Sequence, residues 1–174
     1  TPSRGKLSGE ARYVDDLPRD GVWIGATVRA QVPHGRLVAV HRDPAFDWSQ
    51  VVVVTAAEIP GENVVPVIHR DQPSLAENVL RYAGEPVALV AAPDPDLLQR
   101  ALAAITVETS AEPAVFDMAD ALAGDVVVHG PDNVFRRIEI RKGAASAALI
   151  SADVVIEREY QTGAQEHVYL EPQG

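Results

Sequence analysis

Short apolar runs separated by polar turns dominate the first third of the chain. Val22–Ala30 (VWIGATVRA) and Arg36–Arg42 (RLVAVHR) are rich in β-branched residues, and this composition predicts two strands. The residues between them, QVPHG, include Pro33 and Gly35, which predicts a hairpin-like reversal. Four consecutive valines at Val51–Val54 predict a short strand that is buried on both faces.

Turn and helix-start signals follow these strands. Thr55–Glu58 has the spacing of a capping box, which predicts one short helical turn. Pro60–Ala76 is rich in proline and charge, and we expect it to form a long loop.

The clearest pattern is a strand, a helix and a second strand. Pro86–Ala92 predicts the first strand, and Ile105–Thr109 predicts the second. Between them, Asp94 suits the N-cap of a helix and Pro95 its first position. The apolar residues that share one face of this helix are Leu97, Leu98, Ala101, Leu102 and Ile105. The order predicts a βαβ unit with a parallel crossover, in an α/β (α+β) fold with a mixed sheet.

Weaker patterns follow Pro113. We expect a short helix at Phe116–Leu122 and a connector at Asp125–Asn133. Beyond them the sequence predicts a strand at Arg137–Arg141, a helix at Gly143–Ile150 and a strand at Asp153–Thr162.

Charge and composition exclude several classes of function. Lys and Arg number 15 against 25 Asp and Glu, a net charge of −10 that opposes binding to nucleic acid. The apolar runs of the sequence are too short to predict a membrane span. The sequence has no cysteine, which excludes disulfides, thiolate metal ligands and cysteine nucleophiles. This composition fits a reducing compartment, and we expect a cytoplasmic location.

Few residues are candidates for chemistry. Asp15 and Asp16 are adjacent carboxylates that could do acid–base work, but neighbouring residues of a strand face opposite ways. We therefore favour a turn at this point. The histidines lack metal-site spacing, and we expect solvated surface side chains. They are His34, His41, His69, His129 and His167. The sequence has no GxGxxG, GxxxxGK[ST] or GxSxG motif.

The final ten residues, QEHVYLEPQG (Gln165–Gly174), form an unusual polar pattern. In a strand, one face would carry Gln165, His167, Tyr169 and Glu171, and the other Glu166, Val168 and Leu170. Glu166 and His167 would then face opposite ways and could not act as a pair. The polar face fits either an exposed edge strand or a strand that meets a partner.

An ordered series of motifs resembles one family. It consists of LSGEARYVDDLP (Leu7–Pro18), VRAQVPHGRLVAV (Val28–Val40), VVVVTAAEIPGENVVP, LRYAGEPVALVAA, VETSAEPAV and SADVVIEREYQTGAQEHVYLEPQG. Together they resemble the N-terminal part of the molybdenum-binding large subunit of the xanthine dehydrogenase/aldehyde oxidase family. Two positions depart from the family pattern: Thr109-Ser110 replaces a tyrosine–glutamate pair, and Ala144 replaces an acidic residue.

The resemblance implies a domain organisation. Residues 5–116 would form the α/β hammerhead domain, residues 117–152 a linker, and residues 153–174 the start of the molybdopterin-binding domain. The chain is then expected to be a fragment or a split subunit, and QEHVYLEPQG the entry to the cofactor domain.

The resemblance also implies an activity. Such enzymes oxidise N-heterocycles or aldehydes with water as the oxygen source, using molybdopterin-molybdenum, [2Fe-2S] clusters and FAD. The expected partners are the remaining cofactor domain and the FAD and iron–sulfur subunits. No catalytic, cofactor-binding or metal-binding role is assigned to any residue of this chain, because the family's motifs for those roles are not found in it.

Two other hypotheses remain at this stage. The chain could be a stand-alone binding or scaffold module of the same fold. Alternatively, it could be a small acidic hydrolase that uses Asp15 or Asp16. The choice among purine, aldehyde and other heterocyclic substrates stays open.

Overall fold

The computed structural model describes residues 2–17, 20–66 and 69–168. Its helices and strands, in chain order, are α1 (Pro2–Ser8), β1 (Ile24–Arg29), β2 (Gly35–Arg42), β3 (Val52–Thr55), β4 (Val79–Leu80), β5 (Pro86–Ala92), α2 (Pro95–Ala103), β6 (Ile105–Ala111), α3 (Met118–Ala123) and α4 (Ala145–Ile150). Residues 21–137 form one compact unit, and the described residues before and after it form a second. Helix α1 has no counterpart among the elements predicted from the sequence.

All the named strands lie in two antiparallel sheets of residues 21–137. The strand order is β1-β5-β3 in one sheet and β4-β2-β6 in the other. The predicted hairpin between β1 and β2 is wrong, because these strands belong to different sheets. The turn between them joins the sheets: the Ala30 N–H bonds to Glu85 O at 2.9 Å, and the Glu112 N–H bonds to His34 O at 3.0 Å.

The predicted order of strand, helix and strand is confirmed at β5, α2 and β6. The α/β (α+β) fold class is confirmed as well, but the parallel crossover and the mixed sheet are wrong. Both neighbours of β5 are already taken, by β1 and β3, so β6 pairs with β2 in the other sheet. All the strand ladders in the described residues are antiparallel.

Helix α2 begins as the sequence predicts. The Asp94 Oδ1 accepts the Leu97 N–H at 2.8 Å, and Pro95 is the first helical residue. Leu98 and Ala101 are buried against the first sheet. The sheet residues of this core are Val53, Ala88, Val90 and Ala92. Burial of a side chain such as Leu98 stabilises the fold by roughly 1.5–3 kcal/mol.

A second, smaller core lies beneath β4. It contains the buried residues Ala30, Ala76, Leu80 and Val87. Beside it, Gly35 opens β2 opposite Ala111 of β6. A Cβ atom at Gly35 would lie 2.3 Å from the Ser110 carbonyl oxygen, so this approach of the two backbones requires glycine.

Three local predictions between β2 and β4 have different outcomes. The run Val51–Val54 does form β3, but β3 is an edge strand and Val52 is 48% exposed, so burial on both faces is wrong. The turn at Thr55–Glu58 is confirmed. It is a 3-10 turn at Ala56–Glu58, and the Glu58 carboxylate accepts the Thr55 N–H at 2.7 Å.

The long loop is confirmed in the described parts of residues 60–76, where a single bridge joins Val65 and Gln72.

The C-terminal part is helical where helices are predicted and irregular where strands are predicted. Helices α3 and α4 confirm the two short helices. Arg137–Arg141 and Asp153–Thr162 are not strands in the structure, so both predictions are wrong for this chain. A strand requires a partner for its backbone groups, and no ladder within the described residues reaches either segment. Residues 165–168 also lie outside any strand, and residues 169–174 lie outside the described residues.

Candidate functional site

A polar cleft of about 420 Å³ is the main candidate site of residues 21–137. We call it the ion-pair cleft. The charged and imidazole side chains that line it are His34, Arg36, Asp71, Arg81, Glu112 and His129. The cleft brings together two of the five histidines that the sequence analysis singled out.

His34 lies at the turn between β1 and β2 and is only 7% exposed, so the prediction of a solvated side chain is wrong for it. Its Nδ1 is 2.6 Å from the Pro113 carbonyl oxygen. A carbonyl only accepts, so we place the proton on Nδ1. The Nε2 then faces the Glu112 carboxylate, with 4.0 Å to Oε2.

Arg36 and Glu112 form the second contact of the cleft. The antiparallel register places Arg36 of β2 opposite Ser110 of β6. Glu112 follows β6 directly, and its Oε1 accepts from Arg36 Nε at 3.1 Å. Both side chains are at least a third exposed, so the pair contributes little to stability.

Arg81 and Glu85 form a more deeply buried pair. The Glu85 side chain is 4% exposed, its Oε1 lies 3.6 Å from Arg81 Nη1, and its Oε2 accepts the Arg81 N–H at 2.6 Å. Removing Arg81 would leave a buried carboxylate unpaired. This pair was not predicted from the sequence, because a separation of four residues brings side chains together in a helix, and residues 81–85 form a turn.

His129 is the second imidazole of the cleft, with its Nε2 3.4 Å from Asp71 Oδ2. The two residues come from the connector Asp125–Asn133 and from the loop at residues 60–76. No local spacing links them in sequence. Their side chains are about one-third exposed.

The charged side chains of the ion-pair cleft balance one another. Two arginines oppose two carboxylates, so the cleft has no strong net charge for an ion. Its lining residues include no serine, threonine, lysine or cysteine that could act as a nucleophile. Within residues 2–17, 20–66 and 69–168, no group of three or more His, Cys, Asp or Glu side chains could hold a metal ion.

The remaining sequence candidates lie apart from the cleft. Asp16 Oδ2 accepts the Tyr13 N–H at 3.0 Å in the 3-10 turn Val14–Asp16, which agrees with the turn that we favoured there. His41 is exposed and pairs with Glu108, with Nε2 2.6 Å from Oε2. His69 and His167 are exposed as predicted.

Two carboxylates outside the cleft titrate abnormally. Hydrogen bonds from the Thr55 hydroxyl and backbone N–H lower the pKa of Glu58. Hydrogen bonds from the Ser49 backbone and side chain lower the pKa of Asp47. Both groups are turn caps, and their lowered pKa values indicate local structure rather than acid–base function.

A second candidate surface is the C-terminal segment, which we define as residues 138–168. Its large apolar side chains are between 58% and 88% exposed. They are Ile138, Ile140, Leu149, Ile150, Val154, Val155, Ile156, Tyr160 and Val168. So many exposed apolar side chains in one segment are typical of a surface that further protein covers.

No helix in the described ranges, 2–17, 20–66 and 69–168, has the length and apolar character to span a membrane.

Comparisons with known proteins match nearly the whole length of the chain. Residues 127–174 match the family model described as the molybdopterin cofactor-binding domain. The chain is 34% identical over 170 residues to the nicotinate dehydrogenase large molybdopterin subunit of Eubacterium barkeri, covering 96% of this chain and 40% of that protein. It is 31% identical over 176 residues to xanthine dehydrogenase 1 of Arabidopsis thaliana, covering 99% of this chain and 13% of that protein.

A solved structure agrees with these matches. Quinoline 2-oxidoreductase from Pseudomonas putida 86 superposes with a TM-score of 0.60 and 29% identity, over 72% of this chain and 17% of that one. The chain therefore spans well under half the length of these relatives. Residues 8–113 match the model described as aldehyde oxidase and xanthine dehydrogenase, a/b hammerhead domain, and the chain belongs to this family.

Proposed function

We propose that this chain is the N-terminal part of a molybdenum hydroxylase of the xanthine dehydrogenase/aldehyde oxidase type. The observation that carries the proposal is the order of the two family matches, with residues 8–113 followed by residues 127–174. We place the hammerhead domain at residues 5–116, a linker at residues 117–152, and the start of the molybdopterin-binding domain at residues 153–174. In this proposal the chain supplies structural and interface elements, and the active site lies in the remaining domains or subunits.

The exposed C-terminal segment supports this division. Val154, Val155 and Ile156 are all more than half exposed, although their composition is typical of a strand. A segment of this composition gains the hydrogen bonds and burial of a strand only from neighbouring strands. We propose that those neighbours belong to the remainder of the molybdopterin-binding domain.

The described residues do not fit the expected cofactors. They contain no group of three or more potential metal ligands, and the sequence has no cysteine for an iron–sulfur cluster. We therefore assign molybdopterin-molybdenum, the [2Fe-2S] clusters and FAD to the remaining domains or subunits. When bound there, these groups supply the redox chemistry that oxidises an N-heterocycle or an aldehyde with oxygen from water.

The proposed setting follows from the same composition. The acidic charge disfavours nucleic acid as a partner, and the absence of cysteine suits the cytoplasm. FAD and iron–sulfur subunits are the proposed protein partners.

The test compares the complete protein with the 174-residue chain. The gene that encodes this sequence is expressed with its neighbouring genes, and the molybdenum content of the purified protein is measured by elemental analysis. Oxidation of nicotinate, xanthine, quinoline and an aromatic aldehyde is then assayed with an artificial electron acceptor. We expect stoichiometric molybdenum and turnover of at least one of these compounds in the complete protein, and neither in the 174-residue chain.

Two results would contradict the proposal. A complete protein without molybdenum would favour the stand-alone scaffold. Stoichiometric molybdenum in the 174-residue chain would mean that the cofactor is held by residues to which we assign no ligand role.

A further inference from the structure

Asn133 has an unusual backbone conformation at the end of the connector Asp125–Asn133. Its φ is +59°, in the left-handed region that few residues other than glycine adopt. Asparagine tolerates this region because its short side chain can hydrogen-bond locally. This conformation is typical of an asparagine whose side chain hydrogen-bonds to nearby backbone groups.

The Asn133 side chain makes four hydrogen bonds to backbone groups. Its Oδ1 accepts the N–H of Val128 at 2.8 Å and that of His129 at 3.1 Å. Its Nδ2 donates to Val126 O at 2.7 Å and to Ala121 O, in helix α3, at 3.0 Å. One side chain thus replaces the regular hydrogen bonds that the connector lacks, and closes the connector onto α3.

The second contact of the connector is made by His129. Its backbone is held twice by Asn133, because the Asn133 N–H also donates to His129 O at 2.9 Å. Its imidazole lies 3.4 Å from the Asp71 carboxylate, and its ring centroid is 6.1 Å from that of Phe135. Asn133 therefore fixes the residue that joins the connector to the loop at residues 60–76.

That loop is itself tied to the core by another asparagine. Asn63 Oδ1 accepts the Leu75 N–H at 3.0 Å, and Asn63 Nδ2 donates to Leu75 O at 2.7 Å. Leu75 is 3% exposed, and Val65 N–H binds Gln72 O at 2.7 Å beside Asp71. The connector is thus fastened to a loop that has its own attachment to buried structure.

We infer that Asn133 is a positioning residue that acts through His129 and Asp71 to hold residues 126–135 in one conformation. Residues 126–135 lie in the proposed linker at residues 117–152, shortly before the C-terminal segment, so Asn133 fixes the conformation in which the chain leaves the hammerhead domain. The second part of this inference rests on the proposed function. The first part concerns only contacts within residues 63–135.

The direct test is hydrogen exchange in the 174-residue chain. Asn133→Gly keeps the left-handed backbone accessible but removes all four side-chain bonds. We expect exchange at the Val128 and His129 amides to accelerate by about tenfold, with exchange at Val90 unchanged. Asn133→Asp keeps the acceptor oxygens, so it should restore part of the protection at these two amides. Asn78→Gly, at an exposed asparagine, is the matched control and should leave the exchange rates of the Val128 and His129 amides unchanged.

A double-mutant cycle tests the route through Asp71. Asp71→Asn removes the charge opposite His129, and it should accelerate exchange at His129 in the wild-type background but have little further effect with Asn133→Gly. Unchanged exchange at Val128 and His129 in Asn133→Gly would overturn the inference. So would an Asp71→Asn effect of equal size in both backgrounds, or Asn133→Asp exchange as fast as that of Asn133→Gly.

The complete protein tests the second part. Arg136 and Arg137 follow the connector and are exposed, so trypsin can report its conformation. We expect Asn133→Gly to raise the rate of cleavage there by about tenfold and to lower molybdenum content relative to Asn78→Gly. Equal cleavage and equal molybdenum in the two variants would overturn the inference while leaving the proposed function intact. A wild-type protein without molybdenum would contradict the proposed function, and the exchange and cleavage data would still decide the role of Asn133.

Discussion

Two stretches of similar composition have opposite environments in this protein. Strand β5, PVALVAA, contains Val87 and Val90, which are 0% and 1% exposed. In the C-terminal segment, ADVVI contains Val154 and Ile156, which are 75% and 76% exposed. Both sequences favour a strand, so composition cannot explain the difference.

The difference comes from pairing. Strand β5 lies between β1 and β3, with Thr27 opposite Leu89 and Val53 opposite Val90. The residues of the C-terminal segment pair with no strand in the part of the chain that the structure describes. A β-rich sequence sets a preference, and only a neighbouring strand converts it into buried structure.

The largest expected effect is the contrast in hydrogen exchange between these stretches. In the 174-residue chain, Val87–Val90 should open only near the global free energy of unfolding, about 5–15 kcal/mol, whereas Val154–Ile156 and residues 165–168 should open at almost no cost. Exchange measured by NMR gives both values at once. Slow exchange in the C-terminal residues of the isolated chain would mean that they pair within it or with another copy.

Addition of the remaining molybdopterin-binding domain should sharpen the same contrast. We expect residues 153–174 to gain protection in that complex and Val87–Val90 to keep theirs. Protection that does not rise in the complex would contradict the proposed strand.

A core substitution should produce the next largest effect. Leu98 is 4% exposed, and Leu98→Ala should lower the free energy of unfolding by about 2–5 kcal/mol. Leu149→Ala is the matched control, because Leu149 is 58% exposed, and it should stay within about 0.5 kcal/mol. Both tryptophans, Trp23 and Trp48, lie within residues 21–137, so their fluorescence in urea follows the unfolding of this compact unit. Similar losses in both variants would remove the distinction between the two regions.

Substitutions at the start of α2 should have an intermediate effect on the free energy of unfolding. Asp94→Ala removes the acceptor of the Leu97 N–H and should cost about 1 kcal/mol. Asp96→Ala, in the first turn, loses only a helix-dipole contribution of about 0.3–1 kcal/mol and should cost less. Urea unfolding of both variants measures the difference, and equal costs would argue against the N-cap role of Asp94.

The smallest effect concerns acid stability at Glu58. Its pKa is lowered in the folded state by the hydrogen bonds from Thr55, so folding favours the carboxylate. This contribution is present above the unfolded-state pKa of Glu58 and is lost as the pH falls through the lowered, folded-state value. We expect Glu58→Gln to be less stable than wild type at neutral pH, with the difference shrinking below about pH 4.

Urea unfolding at several pH values measures this trend. Thr55→Ala, which removes the hydroxyl donor, should weaken the pH dependence without abolishing it, because the backbone N–H remains. A difference between wild type and Glu58→Gln that grows on acidification would have the wrong sign.

The sequence of this chain predicts local structure better than it predicts which distant strands and side chains come together. β5, the Asp94 cap and α2 follow from signals within 20 residues, and the structure matches them closely. Pairing between distant strands leaves no such signal, which explains why the hairpin and the parallel crossover were wrong. The same reason applies to the ion-pair cleft: neither His34 with Pro113 nor Asp71 with His129 has a spacing that the sequence could show.

The assignment of strands to sheets also has a consequence for how this chain folds. Odd-numbered strands form one sheet and even-numbered strands the other, so the chain changes sheets at each step from β1 to β6. During synthesis the first sheet lacks its central strand until Ala92 has emerged, and the second lacks β6 until Ala111 has emerged. Neither sheet can be completed by consecutive strands, and early contacts close long loops. We therefore expect the hammerhead unit to fold late and in one cooperative step, with no stable half.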